Sequence, residues 1–555
     1  MRIRENARLA YYDGKVKPDH IEEVKSMPKR ERMSPVDTAW LRMDSPGNLM
    51  MIVGVYMLAS EIDFARLRAV IETQLLSHFR FRARVVSDAI ASWWEEDEDF
   101  DLEQHLVRIA MPGKGTRREF QKLTGQLAGE ALDPNRPLWQ MHLVDNVDGR
   151  QALVVRIHHS IADGIALINV MLGMTSTTAN PDSGQIEAPR TTAPHEDPVH
   201  GWDAVLRPFT DVTVKAIDAT GGIASRVLHA YGAMLDDPDM VGEAAGEYAR
   251  VAAQLSKDIA GIALMEPDTP TSLKGRPSGS KVVAWTDPLD LEEVKAVGYA
   301  LGCSVNDVLL ACVAGALREY LVERGEDAEG AELRAMVPVN LRSPGDGSLG
   351  NKFGLVPVLL PVGVENPIAR VFEVRDRMAE LKHGYTAILA MGLLGVIGMA
   401  PRTVQRQVAE VLAAKATAVM TNVPGPRQPL YLAGTRIDRM MFWVPQSGSI
   451  GMGVSILSYN GGVQFALVTD KKVCRDPQFI IDRFRPEFEK LVNALLLLPW
   501  GEVVDAAQAE SWLFPSIEGP ASTAAKARVR ASRAARRPAA LRKRQSAFAA
   551  ARQAA

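Results

Sequence analysis

His158 and His159 stand side by side at the end of an apolar run, Ala152 to Ile157, and are followed by Ser160, Ile161, Ala162, Asp163 and Gly164. A neutral imidazole, with a reference pKa of about 6.5, is the side chain best suited to accept a hydroxyl proton near neutral pH. A hydroxyl activated in this way can attack a thioester carbonyl directly. Adjacent residues on a strand point to opposite faces, so only one of the two histidines can face a given cavity, and the pair is not by default a metal-binding pair. Asp163 has two readings. It pairs with an arginine and so orients the histidine loop, or it caps the helix that starts there. Gly164 lets the backbone turn tightly. The bland alternative is that both histidines are satisfied core residues.

The elements that must position this loop are legible around it. Trp139, Met141 and Leu143 alternate with Gln140 and His142 as in a half-buried strand, Asp148-Gly149 makes a tight turn, and Ala152 to Ile157 returns to the histidines. A helix then carries Ile165, Ile168 and Leu172 on one face. Further along, Ser304 to Asp307 has the pattern of a capping box opening a helix that Gly325 closes. Asn366-Pro367 opens another helix and Gly384 ends it, while Asn460-Gly461-Gly462 joins two strand-like runs.

These signals divide the chain into an N-terminal extension (1–32), a first domain with the histidine motif (33–175), a linker with bridging helices (176–280), a second domain (281–505) and a basic, Ala/Arg-rich tail expected to be disordered (506–555). The linker reading rests on a Thr-, Pro-, Asp- and Ser-rich stretch from Thr175 to Pro198.

Of the 555 residues, 47% are hydrophobic and 24% charged, which places the chain among globular proteins rather than disordered ones. Cys303, Cys312 and Cys474 match neither a disulfide framework nor a zinc site, and the charged N-terminus has no secretory h-region, so a cytoplasmic location is expected. The uncharged run Ala387 to Ala400 is shorter than the roughly 20 residues that span a bilayer. It reads as a buried helix or as a surface for acyl chains. Ten cations between Lys526 and Arg552 bring the net charge to −3, leaving the rest of the chain near −13. Such a tail suits peripheral contact with anionic membrane or lipid-droplet surfaces. Nucleic acid is excluded by the acidic body and the lack of an aromatic-basic platform.

His158 to Gly164 matches the HHxxxDG motif of the coenzyme A-dependent acyltransferase superfamily. Across roughly Met33 to Leu498 the chain resembles, more narrowly, the bacterial wax ester synthase/diacylglycerol acyltransferase family. The likeness is carried by Met33 to Trp40, Asp44-Ser45-Pro46, Phe100-Asp101-Leu102 with His105, and Pro137-Leu138-Trp139, then by Val305 to Val308, Pro338 to Arg342, Gly350 to Gly354 and Thr421 to Pro426. The resemblance implies an α/β (α+β) fold of two chloramphenicol acetyltransferase-like domains, mixed sheets with flanking helices, and an active-site channel between them. It implies His159 as the general base with His158 in support, and Asn306 near the reacting centre as an oxyanion donor, unless that residue is merely polar in a helix's first turn. Arg342 is the expected partner of Asp163.

Acyl-coenzyme A and a lipid hydroxyl are then the substrates, with no metal or organic cofactor. Triacylglycerol from diacylglycerol and wax esters from long-chain alcohols demand the same chemistry. The alternatives are a free-standing condensation-type acyltransferase using carrier-protein thioesters, or a non-catalytic lipid-surface protein. Leu167 departs from the small residue expected shortly after Asp163-Gly164, and Leu273 to Pro277 and the basic tail also depart from the family pattern.

Overall fold

The structure, a computed structural model, describes residues 29–180, 267–340, 349–382 and 410–497, a few short stretches within them excepted. Arg342, the run Ala387 to Ala400, the basic tail, and most of the N-terminal extension and of the 176–280 segment lie outside the described residues.

The first large sheet has seven strands in the order β5-β6-β7-β2-β15-β14-β8. They are β2 (Met51–Leu58), β5 (Leu106–Ala110), β6 (Trp139–Val147), β7 (Arg150–His158), β8 (Thr175–Ser176), β14 (Tyr431–Leu432) and β15 (Thr435–Trp443). The last two come from the second half of the chain, so that half completes the first sheet, which cannot be assigned to one contiguous segment. The second sheet also has seven strands, with β10-β17-β16-β13-β11-β12 along its path and β9 paired to β17. It is built from β9 (Lys281–Trp285), β10 (Leu289–Asp290), β11 (Leu333–Asn340), β12 (Phe353–Leu360), β13 (Ala418–Pro424), β16 (Met452–Tyr459) and β17 (Gly462–Asp470). A small sheet of β1 (Arg30–Arg32), β3 (Ala83–Ser87) and β4 (Ser92–Glu96) lies apart from both.

Eight α-helices are described: α1 (Pro35–Met43), α2 (Phe64–Val70), α3 (Arg117–Gly129), α4 (Gly164–Gly173), α5 (Leu291–Ala300), α6 (Val305–Glu323), α7 (Pro367–Lys382) and α8 (Pro477–Leu496). Their starts follow from the sequence. Ser304 and Asp307 form the reciprocal capping box of α6, and the Asn366 side chain accepts the Ile368 and Ala369 N–H groups at α7. Asn460 and Gly461 both take positive φ in the β16–β17 hairpin. No single helix among the described residues is long and apolar enough to cross a membrane.

The strand pair before the histidines is covered on both faces rather than one. Leu153, Val155 and Ile157 of β7 pack with α4, whereas Ala152 and Val154 share a core with Phe120 and Leu127 of α3. His142, expected on a solvated face, is therefore buried. Helix α3 lies close to the second sheet because Gly125 and Gly129 lack a Cβ. One added there would fall 2.7 Å from the Lys281 carbonyl oxygen and 2.8 Å from that of Gly279.

Candidate active site

Strand β7 delivers His158 and His159 to a loop that is tied down on every side. The His159 N–H donates to the Met50 carbonyl at 2.7 Å, and the Asp163 N–H donates to that of Gly350 at 3.2 Å. Arg80 donates to the Ile161 carbonyl at 2.9 Å. The two histidines diverge, as strand geometry requires. His158 Nδ1 meets the Ser160 hydroxyl at 2.8 Å and accepts the Ser160 N–H at 3.1 Å, while its Nε2 lies 3.7 Å from Asp44.

His159 faces a different set of groups. Asn351 directs its Nδ2 at two acceptors, Asp37 Oδ1 at 2.7 Å and the His159 carbonyl at 2.9 Å. That fixes the amide orientation, so Asn351 Oδ1 accepts from His159 Nδ1 at 2.8 Å. The proton sits on Nδ1 and the lone pair on Nε2, the state a general base requires. Trp40 stacks on the imidazole with ring centroids 4.2 Å apart and planes 15° from parallel, and Phe353 leans on it at 5.5 Å. Burial pushes the imidazole down to about 4, against the pull of the Asp163 carboxylate. The ring is neutral at cellular pH.

Behind Asn351 stands a buried ion pair. Arg80 donates to Asp37 Oδ2 at 3.1 Å, with the Asp37 side chain fully buried, and its other nitrogen reaches Glu31 at 2.7 Å. Burial raises the Asp37 carboxyl above its ordinary range, opposed by Arg80, Asn351 and Ser34.

Asp163 caps α4, its side chain accepting the Ala166 N–H at 2.9 Å. The helix-cap reading thus describes one of its contacts, and the expected partner Arg342 falls outside the described residues. The tight turn expected at Gly164 is not what its backbone does. Gly164 is the first residue of α4 and is not among the glycines of positive φ, and an added Cβ would meet no atom within 4 Å. Gly164 instead lines an apolar cavity. Gly164, Leu167 and Met171 of α4, Ile157 of β7, and Val423 and Pro426 from the second half are among its walls.

Asn306 lies in the first turn of α6, and its Oδ1 accepts from Asn422 Nδ2 at 2.5 Å. Its own Nδ2 is buried with no partner among the described residues. No hydrogen bond joins it to His159. Among the described residues the amide is thus a buried donor without an acceptor.

The wax ester synthase/diacylglycerol acyltransferase catalytic domain profile matches residues 33–309, and the C-terminal domain profile of the same family matches residues 349–492. The chain belongs to the wax ester synthase/diacylglycerol acyltransferase family. It is 26% identical over 483 residues to a relative from Mycobacterium tuberculosis named as a diacylglycerol O-acyltransferase, spanning 83% of this chain and 90% of the relative. A similarly named Mycobacterium bovis relative is 28% identical over 443 residues, 77% of this chain and 90% of the relative. Among solved structures, the wax ester synthase/diacylglycerol acyltransferase from Marinobacter aquaeolei VT8 superposes with a TM-score of 0.58 at 22% identity, covering 84% of this chain and 100% of that one. The first condensation domain of the calcium-dependent antibiotic synthetase gives 0.51 at 14% identity, with coverages of 87% and 99%. These likenesses show the expected fold of paired chloramphenicol acetyltransferase-like domains. As a member of this family the chain is an acyltransferase.

One residue that carried the family likeness lies away from His159, packed in the scaffold. His105 Nδ1 donates to the Trp139 carbonyl at 2.7 Å, and the ring lies stacked between Phe100 and Trp139. Asp37, Trp40, Asn351 and Phe353, which lie in the quoted motifs but had no chemical role assigned from sequence, gather around His159. A signal was available for the first two, since residues three apart on α1 share a face. Arg80 carried none.

Proposed function

We propose that the protein transfers a fatty acyl group from acyl-coenzyme A to a lipid hydroxyl, making triacylglycerol from diacylglycerol, wax esters from long-chain alcohols, or both. His159 Nε2 takes the acceptor proton as the hydroxyl oxygen attacks the thioester carbon. A tetrahedral oxyanion forms, the C–S bond breaks, and the coenzyme A thiolate leaves and recovers the proton from the imidazolium. No covalent acyl-enzyme, metal or organic cofactor is needed for these steps. Asn306 Nδ2 is the proposed oxyanion donor, a role that elsewhere is worth about 3 to 4 kcal/mol.

The observation that carries this reading is that one motif supplies both a buried, neutral histidine and, five residues on, a glycine in the wall of an apolar cavity. Water-soluble acceptors gain nothing from such walls, whereas each buried methylene of a lipid chain contributes about 0.8 kcal/mol. The enzyme is proposed to work in the cytoplasm, touching anionic membrane or droplet surfaces through the ten cations between Lys526 and Arg552.

The test is coenzyme A release from palmitoyl-coenzyme A by wild type and His159→Ala, with diacylglycerol and hexadecanol offered separately. Acceptor-dependent release that disappears in the variant supports the reading and names the acceptor. Equal release by both proteins, or none with either acceptor, overturns it.

A further inference from the structure

We infer that Asp37 and Asn351 are positioning residues for His159, a hydrogen-bonded relay that fixes which imidazole nitrogen is basic. The inference rests on the reading of His159 as the base.

The geometry differs from that of a carboxylate–imidazole pair. A neutral amide, not a carboxylate, accepts the Nδ1 proton, and the carboxylate stands one residue further back at 2.7 Å from the amide. Three observations make the relay directional. The Asn351 amide cannot flip without turning its oxygen toward two acceptors, Asp37 Oδ1 and the His159 carbonyl. Asp37 cannot rotate freely, because its second oxygen is held by Arg80. Arg80 in turn binds the Ile161 carbonyl inside the histidine loop, so the relay closes on the loop it orients.

The parts come from three distant segments: helix α1, the turn Phe79–Phe81, and the residues before β12. Trp40, from the same helix as Asp37, lies nearly parallel to the imidazole, so the relay sets the ring's direction within its plane and the indole sets the plane.

The relay also has an electrostatic consequence. Arg80 compensates Asp37, leaving a nearly neutral group against Nδ1. The charged or titratable groups around the ring are Asp163 and His158 in its own loop, Asp37 and Arg80 behind Asn351, and Asp44 beside His158. Burial keeps the base unprotonated well below neutrality, and with an amide in contact the imidazolium receives no direct carboxylate at Nδ1 to reverse it.

The test uses the full chain and compares wild type, Asn351→Ala, the near-isosteric Asn351→Asp, and His159→Ala. Coenzyme A release is followed from pH 4.5 to 8, with melting temperature as the folding control. Asn351→Ala should lose at least about 100-fold in kcat with the KM for palmitoyl-coenzyme A changed less than threefold. A group needed only for packing would instead lower the melting temperature and leave the kcat of the folded fraction intact. Asn351→Asp should lift the acidic limb of kcat/KM by a pH unit or more, because a carboxyl group then faces the imidazolium. If Asn351→Ala keeps kcat within threefold and Asn351→Asp leaves the acidic limb in place while His159→Ala is inactive, the relay is wrong and the base reading stands. Activity retained by His159→Ala overturns the base reading itself.

Discussion

Asn422 donates its side-chain amide to Asn306 Oδ1 at 2.5 Å and thereby leaves the Asn306 NH2 as a buried donor with no acceptor among the described residues. An orphaned donor costs free energy in the resting protein, roughly 1 to 3 kcal/mol, so its retention points to a ligand that supplies the acceptor. Asn306→Ala should lower kcat by about 100- to 1,000-fold with little change in the KM for acyl-coenzyme A, since the donor acts on charge that develops only in the transition state. Asn422→Ala should lose less, because it frees the Asn306 amide to turn without removing it. Steady-state coenzyme A release by the two variants checks the ordering, and equal losses would show that Asn306 matters only as a partner of Asn422.

Gly164 tests the cavity. Space is open where its Cβ would be and its φ is not in the left-handed region, so Gly164→Ala should fold with unchanged or slightly raised stability. The added methyl nevertheless enters the cavity wall beside the histidine loop. A deeper change, Met171→Trp, should cut kcat/KM for palmitoyl substrates at least tenfold more than for octanoyl ones, each lost methylene contact contributing about 0.8 kcal/mol. Kinetics with acyl-coenzymes A and with alcohols of both lengths show which substrate chain occupies the cavity. A uniform loss at every length would remove the cavity from substrate recognition.

The motif, the hairpin that carries it and the caps of α6 and α7 were legible because each depends on residues close in sequence. Asn306 and the Thr421 to Pro426 stretch were singled out separately, but their contact spans two halves of the chain and no local pattern announces it. The relay around His159 was hidden for the same reason: Asp37, Arg80 and Asn351 are polar residues whose partners lie dozens to hundreds of positions away. Gly164 needs no positive φ at the start of α4, a feature of backbone conformation that residue type alone does not reveal. The burial of His142 was missed because an alternating strand is read as half-solvated, and α3 arrives from outside the pattern to cover it.

Acid should destabilise the protein through its histidines before it titrates the carboxylates. Burial lowers His159 and His142 to about 4 and also lowers His105. Their unfolded-state values lie near 6.5, so between pH 6.5 and about 4 the unfolded chain binds protons that the folded chain refuses. Stability is therefore fully present above pH 6.5 and falls as pH drops through this window, by up to about 1.4 kcal/mol per pH unit for each such histidine. Urea denaturation at pH 7.5, 6.0 and 5.0 measures it. His142→Gln should flatten the slope without altering the pH dependence of kcat, which distinguishes the scaffold histidine from the proposed base. A slope that stays flat from pH 7.5 to 5 would show that these imidazoles are as basic when folded as when unfolded.

The Arg80–Asp37 pair tests how far the site's order depends on one buried charge. Both side chains are almost wholly removed from solvent, and Arg80 also holds the Ile161 carbonyl. Arg80→Met removes the only described cation in contact with Asp37, leaving a carboxylate in an apolar setting, a change that typically costs about 3 to 5 kcal/mol. Asp37→Asn alone keeps an acceptor oxygen for Asn351 and should cost less. In the double variant Arg80→Met/Asp37→Asn no buried charge is left uncompensated, since Glu31, the other partner of Arg80, is exposed to solvent, so its loss of stability should be smaller than the sum of the two single losses by 1 kcal/mol or more. Denaturant melts of the four proteins close the cycle. Strict additivity would mean that the two side chains stabilise the fold independently, and that the Arg80 contact to Ile161, not its pairing with Asp37, is what keeps the histidine loop in place.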